Sequence, residues 1–236
     1  MTKLVLYFSK SLLPVVIFLV TLLPSSGSAQ VGVLDSRTFC VPMEVHSGAP
    51  VEAPCLNELK QVVKRSGHVL TLKLGNGSNK IIRDSKECTH PHQEASCVSY
   101  RLVGYIGDKL FIVAVQPYEC GSVLLVNRQN GKETKLLGWP ILSPNKTRFV
   151  VTASSVGGEC NPADAVAVFS LTDDLPQLES QSGQTADVAD YDYDGWDGNN
   201  RVLLSKTFLD GRDGRNRSAE LTLSAQGWQL TERRPN

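Results

Sequence analysis

Between residues 109 and 155 the chain alternates short apolar runs with Gly, Pro and Asn, and leaves no space for a helix among them. The stretch reads KLFIVAV, a loop with Cys120, SVLLVNR, the turn QNG, KETKLL, then WPILSPNKTRFVVTAS. Neighbouring runs this close in sequence pair antiparallel, because a parallel pair needs a crossover of about a dozen residues or more. The stretch therefore predicts a β-meander of roughly the length of one propeller blade.

The same hairpin pattern recurs on either side. Runs 69–74 and 80–83 flank Asn76-Gly77, a dipeptide that supplies the positive φ of a tight hairpin turn. Runs 123–126 and 135–137 flank Asn130-Gly131, runs 165–169 and 176–178 flank Asp173-Asp174, and runs 221–224 and 228–230 flank Gln226-Gly227. The turn centres lie roughly 43 to 54 residues apart, as radial repeats with variable loops would place them. A further strand precedes each of the last three hairpins, at 110–115, 148–152 and 201–205. The connections 116–121, 153–163 and 206–217 would then leave from one end of the molecule. The one helical pattern outside the N-terminal segment is 55–66, where Leu56, Leu59, Val62 and Val63 recur at three and four residues and Gly67 follows as a stop.

The first 29 residues read as a secretory leader: Lys3 and Lys10, an apolar run 12–23, Pro24, then small residues ending at Ala29. Twelve apolar residues fall short of the roughly 20 that span a bilayer, so no stable membrane anchor is expected after cleavage. The remaining 207 residues (236 − 29) suffice for one core. Of 24 basic and 24 acidic residues the leader carries two lysines and no acid, so the mature charge is 22 − 24 = −2. Such a balance gives no electrostatic reason to expect nucleic acid as a partner. We expect three segments: a leader 1–29, an arm and helix 30–67, and a β domain 68–236.

All six cysteines follow the leader, and an even number in an exported chain points to disulfides. Six cysteines allow 15 connectivities. The simplest is Cys40–Cys55, Cys88–Cys97 and Cys120–Cys160, the last tying two consecutive connections of the repeat together. Cys88, His90, His92, Glu94 and Cys97 would also offer zinc or copper a set of donors. Their spacing is not that of a zinc finger, and the export context favours the disulfide.

The segment 142–151, Leu-Ser-Pro-Asn-Lys-Thr-Arg-Phe-Val-Val, resembles the TolB-type and WD40-like β-propeller repeat, in which a Ser-Pro-Asp-Gly-Lys turn precedes an apolar strand. Here Asn145 replaces the Asp, and the Gly is absent. The resemblance implies blade geometry over these ten residues and no activity, since propellers of this kind are mostly binding scaffolds with some enzymes among them. The expected fold is mainly β: a small, irregular propeller-like domain of about four blades with one N-terminal helix, the alternative being a β-sandwich.

Three sets of residues stand out chemically. Asp190, Asp192, Asp194 and Gly195 match the opening of a calcium loop, with Asp197 as a further oxygen donor. Position 12 of that count is Arg201, where an EF-hand needs Glu, so an EF-hand is excluded. A plain strand with Tyr191 and Tyr193 on one face fits the same residues. Tyr118, Glu119 and Glu159, in the long connections, are candidate partner contacts. Asn76, Asn145 and Asn216 begin N-glycosylation tripeptides. No nucleophile elbow, zinc-protease helix or phosphate-binding glycine loop occurs, and the four histidines all precede residue 93. We therefore expect a periplasmic or secreted, non-catalytic module that binds a protein or glycan without a cofactor. The alternatives are a carboxylate-based hydrolase, with or without calcium, and an envelope inhibitor or immunity-type protein.

Overall fold

The computed structural model describes residues 39–40, 52–89, 96–117, 121–152, 166–172, 174–182, 189–208 and 217–233. Their fold is mainly β. One short helix, α1 (Ala53–Glu58), precedes fifteen strands grouped in four antiparallel sheets. The first sheet holds β1 (Val63–Ser66), β2 (Val69–Lys73) and β3 (Asn79–Arg83). The second holds β4 (Ser99–Ile106), β5 (Leu110–Gln116), β6 (Ser122–Asn127) and β7 (Glu133–Leu136). The third holds β8 (Ile141–Leu142), β9 (Arg148–Thr152), β10 (Val166–Ser170) and β11 (Gln177–Ser182). The fourth holds β12 (Ala189–Asp197), β13 (Arg201–Phe208), β14 (Arg217–Ser224) and β15 (Gly227–Arg233). In every sheet the spatial order is the chain order, so each is a simple meander.

The sheets pack face to face in sequence. One buried cluster joins Leu70, Leu72 and Ile82 of the first sheet to Leu102, Phe111 and Val113 of the second. Another joins Ile112, Ala114 and Leu125 of the second to Phe149 and Val151 of the third. A third joins Val150, Val166 and Val168 to Tyr191, Leu204 and Leu221 of the fourth. Side chains alternate across a strand, so a strand covered on both faces is apolar throughout. This is why β5 reads LFIVAV, with five successive buried residues, whereas β13 alternates buried and part-exposed positions. Among the described residues no cluster joins the first sheet to the fourth, and no sheet closes on itself.

The helix expected over 55–66 is shorter and earlier than the periodicity implies. Pro54 sits in its first turn and the helix stops at Glu58. Val63 begins β1, and Gly67, with φ 55°, turns the chain into β2 rather than ending a helix. The physical reason is pairing: Val63 faces Leu72 across a ladder, where a β-branched residue packs better than on a short exposed helix. Arg65 on β1 holds the arm by ion-pairing with Glu52 at 2.9 Å, and Glu52 also accepts from the Leu102 N–H. The Cys40–Cys55 and Cys88–Cys97 disulfides are formed. Cys120 and Cys160 lie outside the described residues, as does the leader 1–29. Among the described residues no helix is long and apolar enough to cross a membrane.

The turn that resembles a propeller repeat is built as a polar knot between β8 and β9. Asn145 Oδ1 accepts from the Thr147 N–H at 3.1 Å and from the Ser143 hydroxyl at 2.9 Å, and the Lys146 N–H donates to Ser143 O at 2.8 Å. Lys146 occupies the place of the missing Gly and takes φ 59°, the left-handed region that a side chain disfavours. Lys146→Gly is accordingly expected to stabilise the protein by about 0.5–1 kcal/mol, the relief of strain exceeding the extra backbone entropy of Gly. A thermal melt that is unchanged or lowered would contradict that.

Candidate functional site

In an antiparallel meander of four strands, the turns between strands one and two and between three and four lie at one end. The connection between strands two and three, and the link to the next sheet, lie at the other. Short hydrogen bonds bring the tight-turn ends of all four sheets together. The Gly75 N–H in the β2–β3 turn donates to Arg128 O at 2.8 Å, and the Asn76 N–H to Gln129 O at 3.1 Å, tying the first sheet to the β6–β7 turn. Lys109 Nζ in the β4–β5 turn donates to Leu171 O of the third sheet at 3.1 Å. The Asn145 N–H in the β8–β9 turn donates to Asn199 Oδ1 in the β12–β13 turn at 2.9 Å. One pole of the molecule is therefore made of short, mutually braced turns.

At this pole the second and third sheets diverge and leave an open cleft of about 680 Å³. Asp108, Lys109, Gln129 and Lys132 line one wall, and Thr172, Asp174 and Gln177 the other. Asn127, only 3 % exposed, forms the floor. Its Nδ2 donates across the cleft to Asp174 O, while its Oδ1 accepts from the backbone N–H groups of Gln129 at 2.8 Å and Asn130 at 2.9 Å. One side chain thus shapes the β6–β7 turn and pins it to the β10–β11 turn. The walls present two lysines, two carboxylates and amides from a rigid frame. Such an arrangement can hold a polar ligand by hydrogen bonds and paired charges.

The acidic run from Asp190 falls on β12, so it is a strand face rather than a loop. Tyr191 is 2 % exposed and packs inward, while Asp192 and Asp194 are exposed on the outer face. A bulge between Tyr193 and Gly195 keeps Asp194 near its neighbours, and the Ser205 hydroxyl donates to it at 2.6 Å. The Asp192 carboxyl is raised above the usual range, first by lost hydration and then by the like charges of Asp190 and Asp194. Asp197 is turned away into an ion pair with Arg201. Among the described residues no three His, Cys, Asp or Glu side chains gather as a metal site would need. The thiols of Cys88 and Cys97 are joined to each other, and His90 and His92 lie outside the described residues. Tyr118, Glu119 and Glu159 also lie outside them.

Between the third and fourth sheets the two tryptophans of the fourth sheet act as latches. Trp196 Nε1 donates to Ile141 O at 3.2 Å, and Trp228 Nε1 to Glu179 Oε2 at 2.8 Å. Glu179 also pairs with Arg148 at 2.7 Å, whose guanidinium lies 6.0 Å from the Trp228 ring. Neither tryptophan nor the cleft residues were singled out by sequence pattern. Only the turn dipeptides hinted at the cleft, because it forms where two turns from different sheets approach.

Comparison with known proteins finds no matching family model, no similar curated protein and no similar solved structure. The propeller resemblance at 142–151 thus stands on that turn and its geometry.

Proposed function

We propose that the chain is an exported, non-catalytic recognition module whose four sheets form an open, propeller-like arc, and that it binds a protein or glycan. The serial stacking of small meanders supports an arc more than a sandwich of two large sheets. The two disulfides, the absence of a spanning helix among the described residues and the leader-like 1–29 segment support export to a periplasmic or extracellular space. The observation that carries the recognition role is the braced cleft, where charges of both signs and amides are displayed on turns fixed from beneath by Asn127 and Lys109.

The experiment is affinity measurement on two sets of variants, after a protein partner from envelope extract or a sugar from a glycan panel has been identified. Asp108→Lys with Lys132→Glu inverts both charges on the second-sheet wall of the cleft without touching its bracing. We expect at least a tenfold loss of affinity with an unchanged melting temperature. Tyr118, Glu119 and Glu159 changed together to Ala probe the long-connection end. Loss in that triple variant alone would move the binding surface to the opposite pole, and unchanged affinity in both sets would dispose of either surface.

Calcium at Asp190, Asp192, Asp194 and Asp197 is a second reading carried by the exposed Asp192 and Asp194 alone, since Asp190 is buried and Asp197 is paired with Arg201. Titration calorimetry checks it. Heat that disappears in Asp192→Asn supports the site, and no heat at millimolar calcium removes it.

A further inference from the structure

The second and third sheets are covered on both faces, while the first and fourth each bury one face and leave most of the other open among the described residues, Asp190 near the start of β12 being a buried exception. The two open faces carry opposite charge. In the first sheet, register places Lys64 beside Thr71 and Ile81, Ser66 beside Val69 and Arg83, and Lys73 beside Asn79. These positions alternate with the buried Val63, Leu70 and Ile82, so they share the outer face. Lys64, Lys73 and Arg83 are exposed, no acid stands among these positions, and Ile81 is 39 % exposed beside them on β3. In the fourth sheet, register places Asp192 beside Ser205 and Ser218, and Leu203 beside Glu220. Arg201 and Arg233 also belong to this face, but both are engaged with Glu220, and Arg201 with Asp197 as well. The patch of Asp192 and Asp194 is therefore left with a surplus of negative charge, around a half-buried Leu203.

We propose that the occupant of each face is the other face of a second copy: the basic outer face of the first sheet docks on the acidic outer face of the fourth. Three features of the two faces argue for this occupant. The charges are complementary. Each face is a short antiparallel sheet, and packing sheet on sheet is how this chain already joins its own four. Each face also carries aliphatic side chains inside the charged patch, Ile81 and Val69 on the first sheet and Leu203 on the fourth, as a small interface core with a polar rim would. The contact is heterologous, since different surfaces meet. It therefore closes into a ring if the arc of the sheets permits and otherwise extends as a row of copies. The inference is independent of what the cleft binds.

Sedimentation velocity on the full mature protein tests it. At low ionic strength the mean sedimentation coefficient should rise with concentration, and it should return to that of one copy at about 1 M salt, where charges are screened beyond roughly 3 Å. Asp192→Lys with Asp194→Lys should abolish association, and so should Lys64→Glu with Lys73→Glu. Mixing these two variants should restore it, because the inverted fourth-sheet face of one meets the inverted first-sheet face of the other. Unchanged melting temperatures show that each variant is folded. A single-copy species at every concentration in low salt would overturn the proposal, as would association that survives either charge reversal or ignores salt.

Discussion

Phe149→Ala is expected to destabilise the protein by about 3–5 kcal/mol, read from chemical denaturation. Phe149 lies on β9, is fully buried, and fills the space between the second and third sheets together with Ile112, Ala114 and Leu125. Its ring stacks on that of Phe169, its cross-strand partner, with centroids 4.9 Å apart and planes 14° from parallel. Removing it deletes the apolar transfer term and leaves a cavity that two rigid ladders cannot close by sliding, since a one-residue slip would turn every inward side chain outward. The interface lies beneath the cleft, so the same variant should weaken ligand binding through the loss of wall geometry. Leu178→Ala is the control. Leu178 is 53 % exposed and should change stability by no more than about 0.5 kcal/mol. A loss of under 1 kcal/mol for Phe149→Ala would mean that the second and third sheets are not held by this cluster.

Glu232→Gln should cost about 3 kcal/mol at neutral pH, the lower end for breaking a buried ion pair, because the carboxylate itself is part-exposed. One oxygen of Glu232 accepts from Lys206 Nζ at 2.9 Å and from the Tyr191 hydroxyl at 2.7 Å. Lys206 is 1 % exposed on β13, its ammonium 5.4 Å from the Tyr191 ring centre and 4.9 Å from that of Phe208. Take away the carboxylate charge and the ammonium stays buried with weaker partners. Burial alone would raise the Glu232 carboxyl, but the hydrogen bonds from Lys206 and Tyr191 and the charges of Lys206 and Arg217 outweigh it and hold the group below its usual range. A depressed carboxyl contributes stability that is fully present above its unfolded value and is lost as pH falls through the folded one. The gap between wild type and Glu232→Gln should therefore be widest near neutrality and close on the acid side. Lys206→Met, which keeps the apolar stem and removes the charge, should be far milder. Equal losses in the two variants, or a gap that does not narrow in acid, would contradict the pairing.

How much of this could be read beforehand follows from the range of the forces involved. Strands and tight turns are local: alternation marked the hairpins of β2 with β3, β6 with β7, β10 with β11 and β14 with β15, and Gly77, Gly131 and Gly227 take the positive φ that their dipeptides imply. β4 carries no clear alternation, since SYRLVGYI is interrupted by a bulge at Val103, and β8 is only two residues long. The three-to-four residue spacing in LNELKQVV implies a longer helix than forms, because it does not reveal that Val63 has a ladder partner in Leu72.

Chain order alone therefore determined the tight hairpins within the meanders, though not the pairing of β1 with β2 or of β4 with β5, because hairpin contacts lie a few residues apart and obey backbone geometry. It also determined that Cys40 could reach Cys55, and Cys88 reach Cys97, across short loops. Tertiary structure decided the rest. That Asn127 meets Asp174, that Lys206 is buried under Glu232, and that a basic and an acidic face stand at opposite ends of the stack depend on how whole sheets lie against one another. That choice is made by apolar faces matching in shape and area over dozens of residues, a sum in which no single sequence position announces its partner.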